Sequence, residues 1–503
     1  MRNVSLICSG VIVAAALVAP AADLPSGPGL VGPGPMPPAP PAPLGLAKVM
    51  YTTEEIVDLC VQAAMARHHT PGAVAAVALD GALSYEQGYG VRHRQQGGDV
   101  EPDTVFRIGS VTKMMTAAAL LQQVDRGAVD LRAPVTDYVP EFQPGGRWAG
   151  DQVQVRHLLA QTAAYPDNLL ELVGPTDDDA LTAWVVAEQG VRLHAPPGAF
   201  WNYSNSNFAL AGLVAERGRG MPYRRLVEDE VWAPAGMTAT TFDPATVVGG
   251  DNYAWGHFTD PLTGDETIFA PDDYDDGALA PAGYAFSTAG DLVRWALLLM
   301  GGGGGVLSPE SAAAMQSPQA WTEYTPGAAY GYGVFVERYQ GLDICQHGGN
   351  VPGWGTYLLW VPEERFAVAV IANTFESLAD AAYCIVDRVL EPPGEIPPQQ
   401  PPLDPTPYLG FYDVVDLYGG ELPAHVGLGD DGLEIMFFGA GDVYTTPLVH
   451  VYYDTFLFDA NDDGELDYDL TFINRGLPER TNWARVRYLV GGHQFPPRRG
   501  DRR

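Results

Sequence analysis

The stretch Phe106-Arg107-Ile108-Gly109-Ser110-Val111-Thr112-Lys113 decides the fold of this chain. It stands where a loop turns into a predicted helix, and Lys113 follows Ser110 by three residues. Side chains at this spacing project from one face of a helix, so the hydroxyl and the amine lie together. A serine hydroxyl is a poor nucleophile at neutral pH, and a neighbouring group that takes its proton activates it. The pair therefore predicts acyl-transfer chemistry at Ser110.

Two later segments extend this pattern, Tyr203-Ser204-Asn205 and His347-Gly348-Gly349. The phenol of Tyr203 is a second candidate for moving protons, and the residues alone leave open whether Lys113 or Tyr203 is the general base. Glycines in the third segment allow a strand edge to approach a substrate backbone closely.

The three motifs, in this order, resemble those of the serine β-lactamase and penicillin-binding-protein superfamily, in its class C-like branch of esterases and D-peptidases. The flanking segments Val155-Arg156-His157-Leu158-Leu159 and 286–292 are also similar, and the resemblance covers roughly residues 50 to 390. It implies an α/β (α+β) fold of the β-lactamase/transpeptidase type. In such a fold an antiparallel sheet of five or more strands is flanked by helices and carries an inserted all-helical lobe.

The resemblance also implies roles for individual residues. Ser110, Lys113 and Tyr203 are expected to be catalytic, and Asn205 to hydrogen-bond both the substrate amide and Lys113. The backbone amides of Ser110 and Asn350 are expected at the oxyanion. The remaining expected substrate-side residues are His347 and Gly349.

The third motif departs from the family pattern, in which many members have Lys followed by Thr or Ser. His347 is expected to be mostly neutral near pH 7, and Gly348 has no hydroxyl, so recognition of a substrate carboxylate should be weak. We therefore expect an exported serine hydrolase that cleaves esters or amides through an acyl-serine intermediate. A D-amino-acid peptidase or weak β-lactamase is an alternative. A non-catalytic surface protein that binds peptidoglycan or peptides is an alternative from another class.

Strand patterns occur at both ends of the predicted hydrolase domain. Residues 73–79 and 82–91 are apolar runs joined by Asp80-Gly81, a dipeptide typical of a two-residue hairpin. Further strands are predicted at 332–336, 342–347, 354–361 and 365–372. Because the intervening sequence is mostly helical in pattern, the sheet must be assembled from distant segments.

Length and charge set limits on the whole chain. Its 503 residues are too many for one ordinary core, and its formal charge of −34 makes nucleic acid and anionic lipid surfaces unlikely partners. We expect a small-molecule or peptide substrate, and the sequence does not predict the oligomeric state. The predicted parts are a signal peptide (1–22), a Pro/Gly-rich linker (23–48), the hydrolase domain (49–391), a Pro-rich linker (392–407) and a C-terminal β domain (408–503). That last part is predicted to be a small antiparallel barrel and resembles a lipocalin-like appendage.

The N-terminal sequence predicts export to the periplasm or the extracellular space. A charged start is followed by an apolar run from Val4 to Val18 and by small residues, as in secretory signals. No later segment has an apolar run long enough to predict an integral membrane span. Removal of this signal leaves Cys60, Cys345 and Cys384, which allow at most one internal disulfide, with the pairing left open.

An acidic run in the C-terminal domain resembles a calcium loop. Its candidate ligands are Asp459, Asn461, Asp463 and Asp467, but Leu470 stands where a bidentate Glu is usual. A hairpin turn without metal is the preferred interpretation, and a structural calcium ion is the alternative. No other cofactor is expected.

Overall fold

The structure, a computed structural model, describes most of the predicted hydrolase domain and the strands of the C-terminal domain. The described residues are 51–146, 148, 150–167, 173–259, 264–322, 328–393, 408–415, 421–429, 432–438, 443–452, 455–458, 468–474 and 482–488. The predicted signal peptide, the first linker, residues 394–407 of the second linker and the predicted calcium loop lie outside them.

The larger unit contains one antiparallel sheet of nine strands, which confirms the predicted fold class. The order across this sheet is β3-β2-β1-β13-β12-β11-β10-β9-β8. The strands of this unit are β1 Gly72–Leu79, β2 Ala82–His93, β3 Gly97–Asp99, β4 Phe106–Arg107, β5 Gly256–Thr259, β6 Glu266–Phe269, β7 Phe286–Ser287, β8 Ala320–Trp321, β9 Ala329–Tyr330, β10 Phe335–Tyr339, β11 Leu342–Val351, β12 Trp354–Val361 and β13 Phe366–Ala372.

Segments from opposite ends of this unit meet in the sheet. Ala73 of β1 pairs with Ala372 of β13, and β1 pairs on its other side with β2. Asp80 and Gly81 between β1 and β2 both have positive φ, at 52° and 79°, as a tight two-residue hairpin requires. The predicted hairpin and the assembly of the sheet from distant segments are therefore both confirmed.

Twelve α-helices are described, and they cover both faces of the sheet and fill the inserted lobe. They are α1 Thr53–Arg67, α2 Thr112–Asp125, α3 Val155–Leu159, α4 Ala180–Ala187, α5 Asn205–Arg219, α6 Tyr223–Val227, α7 Ala233–Ala235, α8 Pro244–Gly249, α9 Ala280–Gly283, α10 Ala289–Met300, α11 Pro309–Met315 and α12 Ala379–Val389. Two short ladders, β4–β7 and β5–β6, are separate from the nine-stranded sheet.

Strand β1 shows how the sheet separates two cores. Its side chains alternate between faces, as in any strand. Val74, Ala76 and Ala78 join the core that contains α2 and α10, whereas the alternate residues join the core beneath α1 and α12. A disulfide between Cys60 of α1 and Cys384 of α12 links the two helices that cover the second face. Cys345 is buried and is the free cysteine among the described residues.

The C-terminal unit is a separate eight-stranded sheet with the order β17-β16-β15-β14-β21-β20-β19-β18. Its strands are β14 Gly410–Val415, β15 Glu421–Gly429, β16 Gly432–Phe438, β17 Val443–Pro447, β18 Val449–Tyr452, β19 Thr455–Phe458, β20 Tyr468–Asn474 and β21 Asn482–Tyr488. The two edge strands β17 and β18 follow one another in the chain and are separated by Leu448 alone. The pair β14–β21 is parallel, and the other described pairs are antiparallel.

Among the residues that the structure describes, no helix has both the length and the apolar character to cross a membrane.

Candidate active site

Ser110 lies in a short 3₁₀ helix, Gly109–Val111, that leads from β4 directly into α2. Gly109 has a φ of 52°, and a Cβ atom at this position would lie 2.7 Å from the backbone nitrogen of Asn350. Only glycine meets both demands without a shift of the backbone. The turn leaves Ser110 partly exposed at the start of a helix whose first residues are buried.

Lys113 is fully buried one turn further along, and its Nζ atom contacts three oxygen atoms. These are Oγ of Ser110 at 2.9 Å, Oδ1 of Asn205 at 2.7 Å and the carbonyl oxygen of Ala282 at 2.6 Å. Burial lowers the pKa of Lys113 to about 7, and the carboxylate of Asp167 acts in the opposite direction. Both protonation states of the amine are therefore accessible at neutral pH.

The carbonyl oxygens around Lys113 determine what the neutral amine can do. Asn205 Oδ1 and the Ala282 carbonyl can only accept hydrogen bonds, so they use the two N–H groups of the neutral amine. The remaining lone pair on Nζ then faces the hydroxyl of Ser110. This is the arrangement that a general base for Ser110 requires.

The second motif reaches the same place from the start of α5. Asn205 is the first residue of that helix, and Tyr203 lies two residues before it. Nζ of Lys113 is 4.8 Å from the centre of the Tyr203 ring, a distance at which an aromatic face stabilises an ammonium group. The Tyr203 ring also packs 6.3 Å from His347, so side chains of all three motifs converge.

His347 lies on β11 and is 2% exposed. Its Nε2 is 3.0 Å from the hydroxyl of Tyr330, and its Nδ1 is 2.6 Å from the carbonyl oxygen of Gly348. Burial, and to a lesser degree the nearby Lys113, lowers the pKa of His347 to about 3. The imidazole is therefore neutral at physiological pH.

Gly349 and Asn350 continue β11 past the nucleophile. A Cβ atom on Gly349 would overlap the carbonyl oxygen of Ile108 and lie 3.0 Å from the backbone nitrogen of Ser110. The strand and the turn before α2 are thus in direct backbone contact. The side chain of Asn350 donates to the carbonyl oxygen of Phe375, so the backbone amide is the group of Asn350 that lies beside the turn at Gly109.

Two groups at this site, the Ala282 carbonyl and the Asp167 carboxylate, were not predicted from the sequence. The Ala282 carbonyl comes from α9, and no side-chain pattern could indicate it. Asp167 contacts Asn205 through both carboxylate oxygens. Its only sequence signal is its position soon after Val155–Leu159, a segment that is similar to the family.

In the part of the chain that the structure describes, no cluster of three or more His, Cys, Asp or Glu side chains could hold an ion. The predicted calcium ligands Asp459, Asn461, Asp463 and Asp467 lie outside that part, so the calcium loop stays a prediction.

Known proteins resemble this chain in sequence and in fold. The Beta-lactamase family model matches residues 57–390. Penicillin-binding protein 4 from Amycolatopsis lactamdurans is 29% identical over 371 residues, which cover 69% of this chain and 94% of that protein. Unguisins hydrolase ungD' from Aspergillus campestris is 27% identical over 353 residues, and the match covers 68% of this chain and 65% of that protein.

A solved structure extends the likeness. The crystal structure of SurE has a TM-score of 0.64 and 26% sequence identity, and the match covers 86% of this chain and 96% of that one. Its coverage exceeds the span of the family model, which stops at residue 390. Because the family model accounts for most of the chain and contains all three motifs, the chain belongs to the β-lactamase family.

Proposed function

We propose that this protein is an exported serine hydrolase that cleaves an ester or amide bond through an acyl-serine intermediate. The observation that carries the proposal is the contact between Lys113 Nζ and Ser110 Oγ, at 2.9 Å, with the other two lysine contacts made to carbonyl oxygens. That geometry gives the hydroxyl a base whose pKa lies near working pH.

In the acylation step Ser110 Oγ attacks the substrate carbonyl carbon while its proton moves to Lys113. The carbonyl oxygen becomes an oxyanion, which the backbone amides of Ser110 and Asn350 stabilise. The bond to the leaving group then breaks, and the leaving alcohol or amine takes the proton. Tyr203, whose ring lies against Lys113, is the second candidate for this proton transfer.

Deacylation repeats the sequence with water as the nucleophile. Water attacks the acyl-serine carbonyl, gives up a proton to the same base, and the ester bond to Ser110 breaks. Ser110 recovers its proton and the acid product leaves, so the enzyme returns to its starting state.

The third motif favours substrates without a required carboxylate. His347 is neutral and Gly348 has no hydroxyl, so this motif offers neither the cation nor the hydroxyl that would bind a carboxylate. Esters and neutral amides are therefore the first candidates. D-amino-acid peptides, with weak β-lactam turnover, are the second candidate, and the match to nearly the whole length of a penicillin-binding protein supports the β-lactam part.

Export is supported by the N-terminal sequence and by the disulfide Cys60–Cys384, because disulfides persist in oxidising compartments. The periplasm or the extracellular space is the proposed location. Fractionation of cells that make the full chain, together with the N-terminal sequence of the recovered protein, tests this part.

Labelling with a fluorophosphonate probe tests the nucleophile. The probe is expected to add one adduct to the wild-type protein by intact mass, and none to Ser110→Ala. Ser84→Ala is the matched control, because Ser84 is an exposed serine near the β1–β2 turn. Undiminished labelling of Ser110→Ala would refute the assignment.

A substrate panel then tests catalysis against binding. p-Nitrophenyl esters, D-amino-acid amides and a chromogenic β-lactam are compared for burst and turnover. Turnover that is lost in Ser110→Ala supports the hydrolase. Binding of peptidoglycan peptides without burst or turnover of any member supports the non-catalytic alternative.

A further inference from the structure

Asp167 stands at the N-terminus of α5, next to the second motif. Its Oδ1 accepts a hydrogen bond from the backbone amide of Asn205 at 3.0 Å, and its Oδ2 accepts one from Asn205 Nδ2 at 3.1 Å. The backbone amide of Ser206 also donates to this carboxylate. Ser204, the N-cap residue, makes no side-chain capping bond. Asp167, instead of Ser204, therefore accepts hydrogen bonds from the backbone amides at the start of α5.

The loop that carries Asp167 is fixed to the second motif at several points. Gln161 Oε1 accepts hydrogen bonds from the backbone amide of Ser204 at 3.0 Å and from Asn207 Nδ2 at 2.7 Å. Ser204 Oγ donates to the carbonyl oxygen of Pro166 at 3.1 Å. Asp167 is thus held in place beside Asn205 rather than resting against it by chance.

An asparagine amide has two ends of nearly equal size, and only hydrogen bonding decides which end faces which neighbour. An ionised carboxylate can only accept, so Asp167 requires the Nδ2 end of Asn205. The Oδ1 end must then face Lys113, where it lies 2.7 Å from Nζ. With the amide reversed, an N–H group would face the lysine and compete with the Ser110 hydroxyl for its lone pair.

The same carboxylate acts on the charge of Lys113. The titratable groups around Lys113 are Asp167 from this loop, Tyr203 ahead of α5 and His347 from β11. His347 is neutral, and α9 contributes only the Ala282 carbonyl. Burial raises the pKa of Asp167 to about 6, so its carboxyl is still mostly ionised at neutral pH. Asp167 is thus the negative charge that opposes the loss of the lysine proton.

We propose that Asp167 is a positioning residue for the catalytic lysine, acting by fixing the Asn205 amide with its oxygen toward Lys113 and by placing a negative charge beside it. This inference rests on the proposed function and extends it. Asp167 touches neither Ser110 nor the reacting bond in this scheme.

Nuclear magnetic resonance provides a readout that needs no turnover. The chain contains two lysines, Lys48 and Lys113, so protein labelled with ¹³Cε-lysine gives two side-chain signals. The Lys113 signal is the one absent from Lys113→Met, and its pH titration reports the pKa directly. In Asp167→Asn this titration is expected to move to lower pH by about one unit, because an opposing negative charge has been removed.

Two further variants complete the comparison. Asp177→Asn removes the same charge from an exposed position outside the network and is expected to leave the Lys113 titration unchanged. Asp167→Glu keeps the charge and is expected to bring the titration back toward the wild-type value. If Asp167→Asn does not fold, Asp167→Ser, which keeps a side chain able to cap α5, takes its place with the same expected shift.

Kinetics give the second readout. The acid limb of kcat/KM is expected to move with the Lys113 titration in Asp167→Asn, and the plateau at high pH to fall about tenfold or more. A Lys113 titration at the wild-type pH in folded Asp167→Asn or Asp167→Ser overturns the proposal. If Ser110→Ala shows instead that the nucleophile is wrong, the resonance titration still tests the relation between Asp167 and Lys113.

Discussion

Tyr330 and His347 form a hydrogen bond that, with the Gly348 carbonyl oxygen, selects one tautomer of the neutral histidine. The other ring nitrogen, Nδ1, lies 2.6 Å from the Gly348 carbonyl oxygen, which can only accept. Nδ1 therefore carries the proton, and Nε2 accepts the hydroxyl proton of Tyr330 across 3.0 Å. Both nitrogens are satisfied in the neutral ring. The ring is neutral because burial lowers its pKa, and for that reason the third motif supplies no cation.

A substitution at His347 follows from this relationship. Glutamine is neutral at every pH and has an oxygen that can accept from Tyr330, so His347→Gln is expected to keep the acid limb of kcat/KM near pH 7. The pKa of His347 is lowered to about 3, first by burial and then by Lys113, so the ring does not titrate in that range. Loss or displacement of the limb in this variant, measured with a p-nitrophenyl ester, would contradict the prediction.

Lys113 is expected to govern the pH dependence. In the proposed mechanism the neutral amine is the base, and its pKa is lowered from 10.5 to about 7, so kcat/KM should rise as pH increases through about 7. In Lys113→Met the rate of acylation is expected to fall about 10²- to 10⁴-fold and the dependence on a group titrating near pH 7 to disappear. The rate of fluorophosphonate labelling between about pH 5 and 9 measures both effects.

The matched control for Lys113→Met is thermal unfolding of the same protein. A folded variant that labels at the wild-type rate would show that another group activates Ser110. In that case the labelling rate is expected to fall in Tyr203→Phe instead, measured in the same way.

Gly349 and Gly348 differ in the space beside them, although they are neighbours in one motif. A Cβ atom on Gly349 would overlap the Ile108 carbonyl and crowd the Ser110 amide, whereas on Gly348 it would meet the Tyr357 ring at an ordinary 3.5 Å. Gly349→Ala is therefore expected to reduce kcat by about 10²- to 10³-fold through displacement of the oxyanion amides. Gly348→Ala should have a much smaller effect. Equal acylation rates in the two variants would count against the oxyanion assignment.

The disulfide Cys60–Cys384 is expected to matter for stability rather than chemistry, because it joins α1 and α12 on the far side of the sheet from α2. The cross-link closes a loop of 324 residues, and its removal in Cys60→Ala/Cys384→Ala is expected to lower the free energy of unfolding by about 2 to 5 kcal/mol. Urea unfolding measures this change. Cys345→Ser, which leaves the cross-link intact, is the comparison, and equal unfolding midpoints for the double variant and the wild type would disprove the effect.

Local features of the fold could be predicted from the sequence, and where such a prediction was wrong the cause is local. The turn at Asp80-Gly81 gave the correct hairpin because two residues with positive φ suit few other structures. The strand predicted at 332–336 begins only at Phe335, because Gly333 has a φ of 77° and interrupts the extended chain. Apolar pattern alone does not reveal that break.

Contacts between distant segments were harder to predict from the sequence. The family resemblance indicated that Asn205 bonds Lys113, and the structure brings these residues together across a separation of 92 positions. Nothing in the composition of the 161–167 loop indicated that Asp167 would reach Asn205. The cysteine count allowed one disulfide, and only the packing of α1 against α12 selected Cys60 and Cys384.

The sequence by itself determined the order of the three motifs, the family to which they belong and the closeness of Ser110 to Lys113, because helical geometry alone places residues three apart on one face. The tertiary structure decided which way the Asn205 amide points and which carbonyl completes the lysine site. It also decided which carboxylate faces that site. These contacts join segments up to 169 residues apart, and they depend on how the sheet and the helical lobe pack together rather than on any local pattern.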